Sequence, residues 1–189
     1  MSAGTKLITA EEFAQMDFDV PVELVRGEIV YLYGEDGMTR PGPRHGGVCA
    51  NISRFILNWA DPRQAGHVAS NDSWVTTERD PDTVRGADVG FYRMDQLVEG
   101  KLPDAPTDTV PVVCVEVRSA SNRLKAMRRK KDEHLAAGAE EVWLVDPRKK
   151  TVEVHRRDAK TIALGEGDPL SSAALPEFAV PVADVFEGV

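Results

Sequence analysis

A chain of 189 residues, 42% of them hydrophobic, can bury one sizeable core, and that length suits one domain better than two. Its formal net charge of -8 excludes a protein that coats DNA regardless of sequence, because such affinity comes from neutralising phosphates. No apolar run approaches the roughly 18 to 20 residues of a membrane span, and the N-terminus lacks the layout of a secretory signal, so a soluble, cytoplasmic protein is expected.

Thr9 and Glu12 have capping-box spacing and predict a short helix to about Met16. Residues 22–34 read as two strands joined at Arg26 and Gly27, the glycine supplying the positive φ of a tight hairpin. From Pro43, the residues Val48, Ile52, Phe55, Ile56 and Trp59 recur at helical spacing. Short strands are expected at 67–70, 73–78 and 86–92, the last with Asp88 in its middle, and a Pro- and Asp-rich loop at 95–110. An apolar strand at 111–118 follows, then a helix entry at 119–122, a helix from about Arg123 to Ala137 and a stop at Gly138. Residues 141–146 read as a second buried strand, which predicts a strand-helix-strand crossover with parallel strands in an α/β fold of the α+β, mixed-sheet type. An alternating strand at 151–155 pairs with residues 160–164. The chain is thus read as a single domain over 1–189, with a core at about 11–155 and a C-terminal extension at 156–189. Cys49 and Cys114 belong to no zinc-binding pattern and read as small buried hydrophobes.

Two carboxylates stand out. Glu116 ends the most apolar strand, where an unpaired ionised carboxylate costs several kcal/mol, so something must meet it. Asp88 stands on a separate strand between apolar neighbours, and carboxylates at the ends of adjacent strands repel unless a cation lies between them. Mg2+ suits such a pair, because it takes one or two carboxylates and leaves positions for water and phosphate oxygens. Close in sequence, Arg118, Arg123, Lys125, Arg128, Arg129, Lys130 and Lys131 form a basic stretch with no acid among them. A hard metal beside a basic helix is the layout for phosphodiester hydrolysis. The competing readings are a structural salt bridge for Glu116, with Arg123 for example, a solvated face for the basic helix, and a capping or packing role for His45.

Asp88 within Arg85-Gly-Ala-Asp-Val89, Glu116 within Glu116-Val-Arg-Ser-Ala-Ser121, Lys130, and the block from Ala137 to Pro147 resemble the Uma-type restriction endonuclease family of the PD-(D/E)XK nuclease superfamily. The likeness runs from about Glu11 to His155, and its strongest block holds Gly138, Glu141, Trp143, Val145, Asp146 and Pro147. It implies a restriction-endonuclease-like core with an N-terminal hairpin and flanking helices, and Asp88 and Glu116 as ligands of Mg2+, with Mn2+ as a substitute. Glu23 would be an accessory acid, although a hairpin ion pair is the alternative, and Lys130 would be the catalytic lysine, moved from the strand to the helix. Two residues after the glutamate the superfamily has lysine, whereas this chain has Arg118, which binds phosphate but cannot serve as a base near neutral pH. The chain also departs from the family at Ala87, at Ala120 and at His134, where an aromatic is expected. On the helical wheel Lys131 shares a face with Leu124 and Leu135, so Lys130 and Lys131 both remain candidates. Arg123, Lys125 and Arg128 are the expected contacts to DNA, and cutting both strands of a duplex favours a homodimer. The alternative is a catalytically silent nucleic-acid-binding or oligomeric interaction protein on the same fold.

Overall fold

The computed structural model describes residues 6–32, 41–119 and 124–189. Its frame is an eight-stranded mixed sheet. Strands β1 (Val22–Val25) and β2 (Glu28–Tyr31) form the expected hairpin, in which Arg26 and Gly27 both take positive φ, 52° and 78°. Helix α1 (Ala10–Ala14) is capped by Thr9 and Glu12, which bond each other's backbone reciprocally. Phe13 on α1 packs at 4.5 Å between ring centroids on Trp74, closing a small apolar cluster over β1.

The sheet is organised about β4 (Thr83–Arg93). One edge of β4 is covered along its length by β3 (Gly66–Glu78), and the other edge is shared by two strands. β1 meets β4 only at Val84, and β5 (Val113–Val117) pairs with it at residues 89–91. Between those pairings, residues 85–88 of β4 have no strand beside them on that edge among the described residues, and the sheet opens into a wedge. From β5 the sheet continues through β6 (Glu141–Asp146), β7 (Thr151–Arg156) and β8 (Ile162–Leu164). The β5–β6 pair is parallel and is joined by helix α3 (Leu124–Ala137), the crossover that the sequence predicts, with Gly138 past its end at φ 125°. Of the predicted helix entry at 119–122, residues 120–122 lie outside the described residues, as does Arg123.

β5 is buried along its length because both faces are covered. Val113, Val115 and Val117 face helix α2 (Pro43–Ala60), whose Val48, Ile52, Ile56 and Ala60 form a buried stripe at helical spacing. Cys114 faces the other way, towards Met127 of α3, and strand alternation sends Glu116 to that same side. Residues after 156 are built into the main core. Leu170, Leu175, Phe178, Val182 and Phe186 pack beneath α2 and the sheet, across β9 (Pro169–Ser171), β10 (Ala179–Pro181) and α4 (Val182–Val185). Buried Glu141 ties this segment down: it accepts from Trp143 Nε1 at 3.0 Å, from Ser172 Oγ at 2.8 Å and from the Ala173 amide at 2.8 Å.

The strands expected at 67–70 and 73–78 form one strand, β3, with a bulge between Ser70 and Ser73. Asn71 and Asp72 take positive φ in the bulge, a conformation those two residue types tolerate, and it turns Asp72 towards the wedge. The bulge leans on Gly86, where an added Cβ would lie 2.3 Å from the Asp72 carbonyl oxygen. Gly86→Ala is therefore expected to cost about 1–3 kcal/mol by overpacking. Urea denaturation measures it, and an unchanged midpoint would contradict this packing of strand on bulge.

Candidate active site in the wedge of the sheet

Four elements bring titratable side chains into the wedge beside residues 85–88. β1 contributes Glu23, β5 contributes Glu116, α3 contributes Lys130 and His134, and β4 contributes Arg85 and Asp88. Glu23 and Glu116 are each only 2% exposed, so their charges must be met by protein groups. Lys130 Nζ lies 2.7 Å from Glu23 Oε1 and 3.7 Å from Glu116 Oε2, and donates to the Gly86 carbonyl at 3.2 Å. Arg85 Nη1 donates to Glu23 Oε2 at 2.6 Å, while its Nε bonds Glu133. His134 Nε2 stands 3.5 Å from Glu116 Oε1, within reach of an ion pair, while neither atom makes a hydrogen bond.

Asp88 sits where β5 begins to separate from β4. Its Oδ2 accepts from the Val117 amide at 2.6 Å, which holds the Asp88 carboxylate against the residue next to Glu116. Its Oδ1 lies 3.2 Å from Nε2 of His45, on the first turn of α2. Cys49, one turn further on, has its Sγ 3.7 Å from His45 Nδ1. Asp72 comes in from the β3 bulge.

The electrostatics follow from this crowding. Burial pushes Glu23 up, but Lys130 and Arg85 outweigh it and hold the carboxyl below its usual range. Burial opposes the charge on Lys130, yet Glu116, Glu23 and Asp72 raise its pKa, so the ammonium stays protonated. For His134, burial pulls down while Cys114 and Glu116 push up, and the balance lies at about 10. His45 is raised against its burial by Asp88 and Asp72. Asp72 goes the other way from Glu23: burial, then the charge of Asp88, with Glu116 and Glu23 behind, raise it to about 7 in spite of Lys130. The wedge thus sets carboxylates and cations in close alternation, and Asp72 is the carboxyl whose ionisation burial and its neighbours oppose.

Of the residues singled out from sequence, Glu116, Glu23 and Lys130 come together, and Asp88 is tied to them through the Val117 amide next to Glu116. Lys131 does not: its ammonium pairs with Asp132 at 2.6 Å, and the inward face of α3 runs through Met127, Lys130 and His134, with Leu135 packed at its side and Leu124 exposed. Arg118 binds Asp146 Oδ2 at 2.7 Å at the ends of β5 and β6, beside the wedge. Lys125 and Arg128 are exposed on α3 and make no ion pair among the described residues, and Arg123 lies outside those residues. Asp72, Arg85 and Cys49 are additions that only the fold makes, and His45 changes from a helix-start residue to a partner of Asp88. A signal for Asp72 was present in Asn71-Asp72, two residues that accept positive φ, inside a strand pattern.

A raised carboxyl pKa favours the neutral form in the folded state, so the contribution of Asp72 to stability is full below its unfolded value near 3.8 and is lost as pH rises through about 7. Asp72→Asn keeps the positive φ and removes the charge. In chelator-treated protein the variant should melt a few degrees above wild type at pH 8, with the gain growing between about 4 and 7 and vanishing below 4. Thermal melts across that range check it, and a constant offset at every pH would contradict the assignment.

No curated protein matches the chain. Five chains of solved structures do. One is the crystal structure of a putative nuclease belonging to DUF820 from Anabaena variabilis ATCC 29413, which is 17% identical with a TM-score of 0.78 over 95% of this chain and 97% of that one. At that identity the likeness establishes the shared fold. No helix among the described residues is long and apolar enough to cross a membrane. The family profile described as "Putative restriction endonuclease" covers residues 10–183, nearly the whole chain and all four elements of the wedge, and the protein accordingly belongs to the Uma2 family of nuclease-type proteins.

Proposed function

We propose that the chain is a divalent-metal-dependent endonuclease acting on DNA, with Asp88 and Glu116 as metal ligands and Mg2+ as the ion. The observation that carries this reading is the placement of Asp88 on the amide of Val117, the residue next to a Glu116 that is only 2% exposed and whose Oε1 has no hydrogen-bond partner. A cation of oxygen-ligand chemistry fits that donor set. When bound, such an ion polarises a phosphoryl oxygen and lowers the pKa of a water molecule.

The remaining roles belong to the protein. The Val117 amide fixes the Asp88 carboxylate at 2.6 Å, and strand β5 carries Glu116 beside it. Protonated Lys130 acts as a donor, orienting the attacking water or a phosphate oxygen, and Glu23 anchors its ammonium from behind at 2.7 Å. Arg85 holds Glu23 in turn with a hydrogen bond of 2.6 Å, so the lysine is placed through a chain of ion pairs. Exposed Lys125 and Arg128, with Arg123 before them, grip the nucleic-acid backbone, and Arg118 adds a guanidinium at the rim. A basic patch of that kind lets an acidic protein hold DNA locally.

Calorimetric titration with Mn2+ should give saturable binding in the wild type and none in Glu116→Gln. Plasmid nicking in Mg2+ should fall roughly a hundredfold or more in Asp88→Ala and Glu116→Gln, since even partners of metal ligands cost 10- to 100-fold. Lys130→Met should abolish nicking with Mn2+ affinity retained, whereas Lys131→Met should leave it near wild type. Chelator-insensitive nicking would overturn the metal mechanism. Wild-type protein that binds duplex DNA without Mn2+ uptake or cleavage would instead be the silent binding protein, with Glu116 and Lys130 as a structural ion pair.

A further inference from the structure

His45 and Cys49 stand one turn apart at the start of α2 and so project from the same face of the helix. That face is set against Asp88, and one donor atom from each of His45, Cys49 and Asp88 lies within 4.8 Å of the other two. The imidazole is the centre of the group, with Nε2 at 3.2 Å from Asp88 Oδ1 and Nδ1 at 3.7 Å from Cys49 Sγ. For a tetrahedral ion with bonds of about 2.0–2.1 Å to nitrogen and oxygen and about 2.3 Å to sulfur, the donors stand about 3.3–3.6 Å apart. An ion takes only one ring nitrogen, so on binding the His45 ring gives up either its contact to Asp88 or its contact to Cys49.

We infer that His45, Cys49 and Asp88 form a binding site for a borderline-soft divalent transition ion of the zinc and cobalt(II) type, with a fourth position open to water. A thiolate and an imidazole discriminate against Mg2+, which takes oxygen donors, and select ions of intermediate softness. The Val117 amide orients Asp88 from behind, as a second-layer partner does for a metal-bound carboxylate. Binding displaces the thiol proton of Cys49 and the imidazolium proton of His45 to solvent. The site shares Asp88 with the proposed Mg2+ position but does not require Glu116, and it stands whether or not the wedge cleaves DNA.

Cobalt(II) is the probe, added to the full-length, reduced protein after chelator treatment. One equivalent should produce a thiolate-to-cobalt charge-transfer band in the near ultraviolet together with visible bands of a tetrahedral ion. Cys49→Ser should lose the charge-transfer band, His45→Gln should weaken affinity at least about tenfold, and Glu116→Gln should keep both band and affinity. Loss of Mn2+ binding in Glu116→Gln with the cobalt band intact separates this site from the hydrolytic one. The inference is overturned if wild type shows no charge-transfer band, or if the band survives in Cys49→Ser, which would assign the thiolate to Cys114. Melting in chelator verifies folding, and if Cys49→Ser unfolds, Cys49→Ala replaces it. Should both unfold, His45→Gln decides: weakened affinity supports the site and unchanged affinity overturns it.

Discussion

The ammonium of Lys130 is the group on which the rest of the site depends. It stands between two carboxylates that solvent barely reaches, Glu23 and Glu116, and it reaches them across the opening that β1 and β5 leave along one edge of β4. Two buried anions on different strands would repel each other and would each lose hydration, so besides Arg85 on β4, which meets Glu23, the pair needs a cation that reaches both carboxylates. Helix α3 supplies that cation, and the parallel β5–α3–β6 connection sets the helix over the required face. Removing one partner of such a cluster typically costs about 3–5 kcal/mol, because the others are left charged and buried.

The wedge itself comes from backbone pairing. β4 has a continuous partner on one side and two discontinuous partners on the other, so the carbonyl of Gly86 faces a gap and accepts from Lys130 instead of from a strand. Opposite the gap the β3 bulge leans on Gly86, which has no Cβ to obstruct it, and this brings in Asp72. α2 closes the site with the positive end of its peptide dipoles and with His45 against Asp88. Charged groups collect there because strand ends, a bulge and a helix start meet at one place, and burial beside Asp88 raises the Asp72 carboxyl.

The C-terminal third of the chain acts on the site through packing. Leu170, Leu175, Phe178 and Phe186 support α2 and the sheet from below, and Glu141 binds Ser172 and Ala173 to the start of β6. The orientation of α2, and with it that of His45 and Cys49, thus rests partly on residues far along the chain; Asn51 of α2 donates to the carbonyls of Val185 and Glu187.

Much of this was legible in the sequence because it is local. Thr9 and Glu12 marked a helix start, Arg26-Gly27 a tight turn, Gly138 a helix end, and the runs at 113–117 and 141–146 two strands covered on both sides. Each depends on hydrogen bonding or burial within a few residues. The need of Glu116 for a partner was also legible, since an apolar strand cannot carry a lone charge. Tertiary structure alone decided who the partners are. The choice of Lys130 over Lys131 turns on the rotation of α3 about its axis, which packing of Met127 and His134 sets and which leaves Leu124 exposed. Asp72, Arg85, His45 and Cys49 joined the site because residues 45, 72, 85 and 116 meet only when the sheet is assembled, and no periodicity along a chain encodes a meeting of four separate elements.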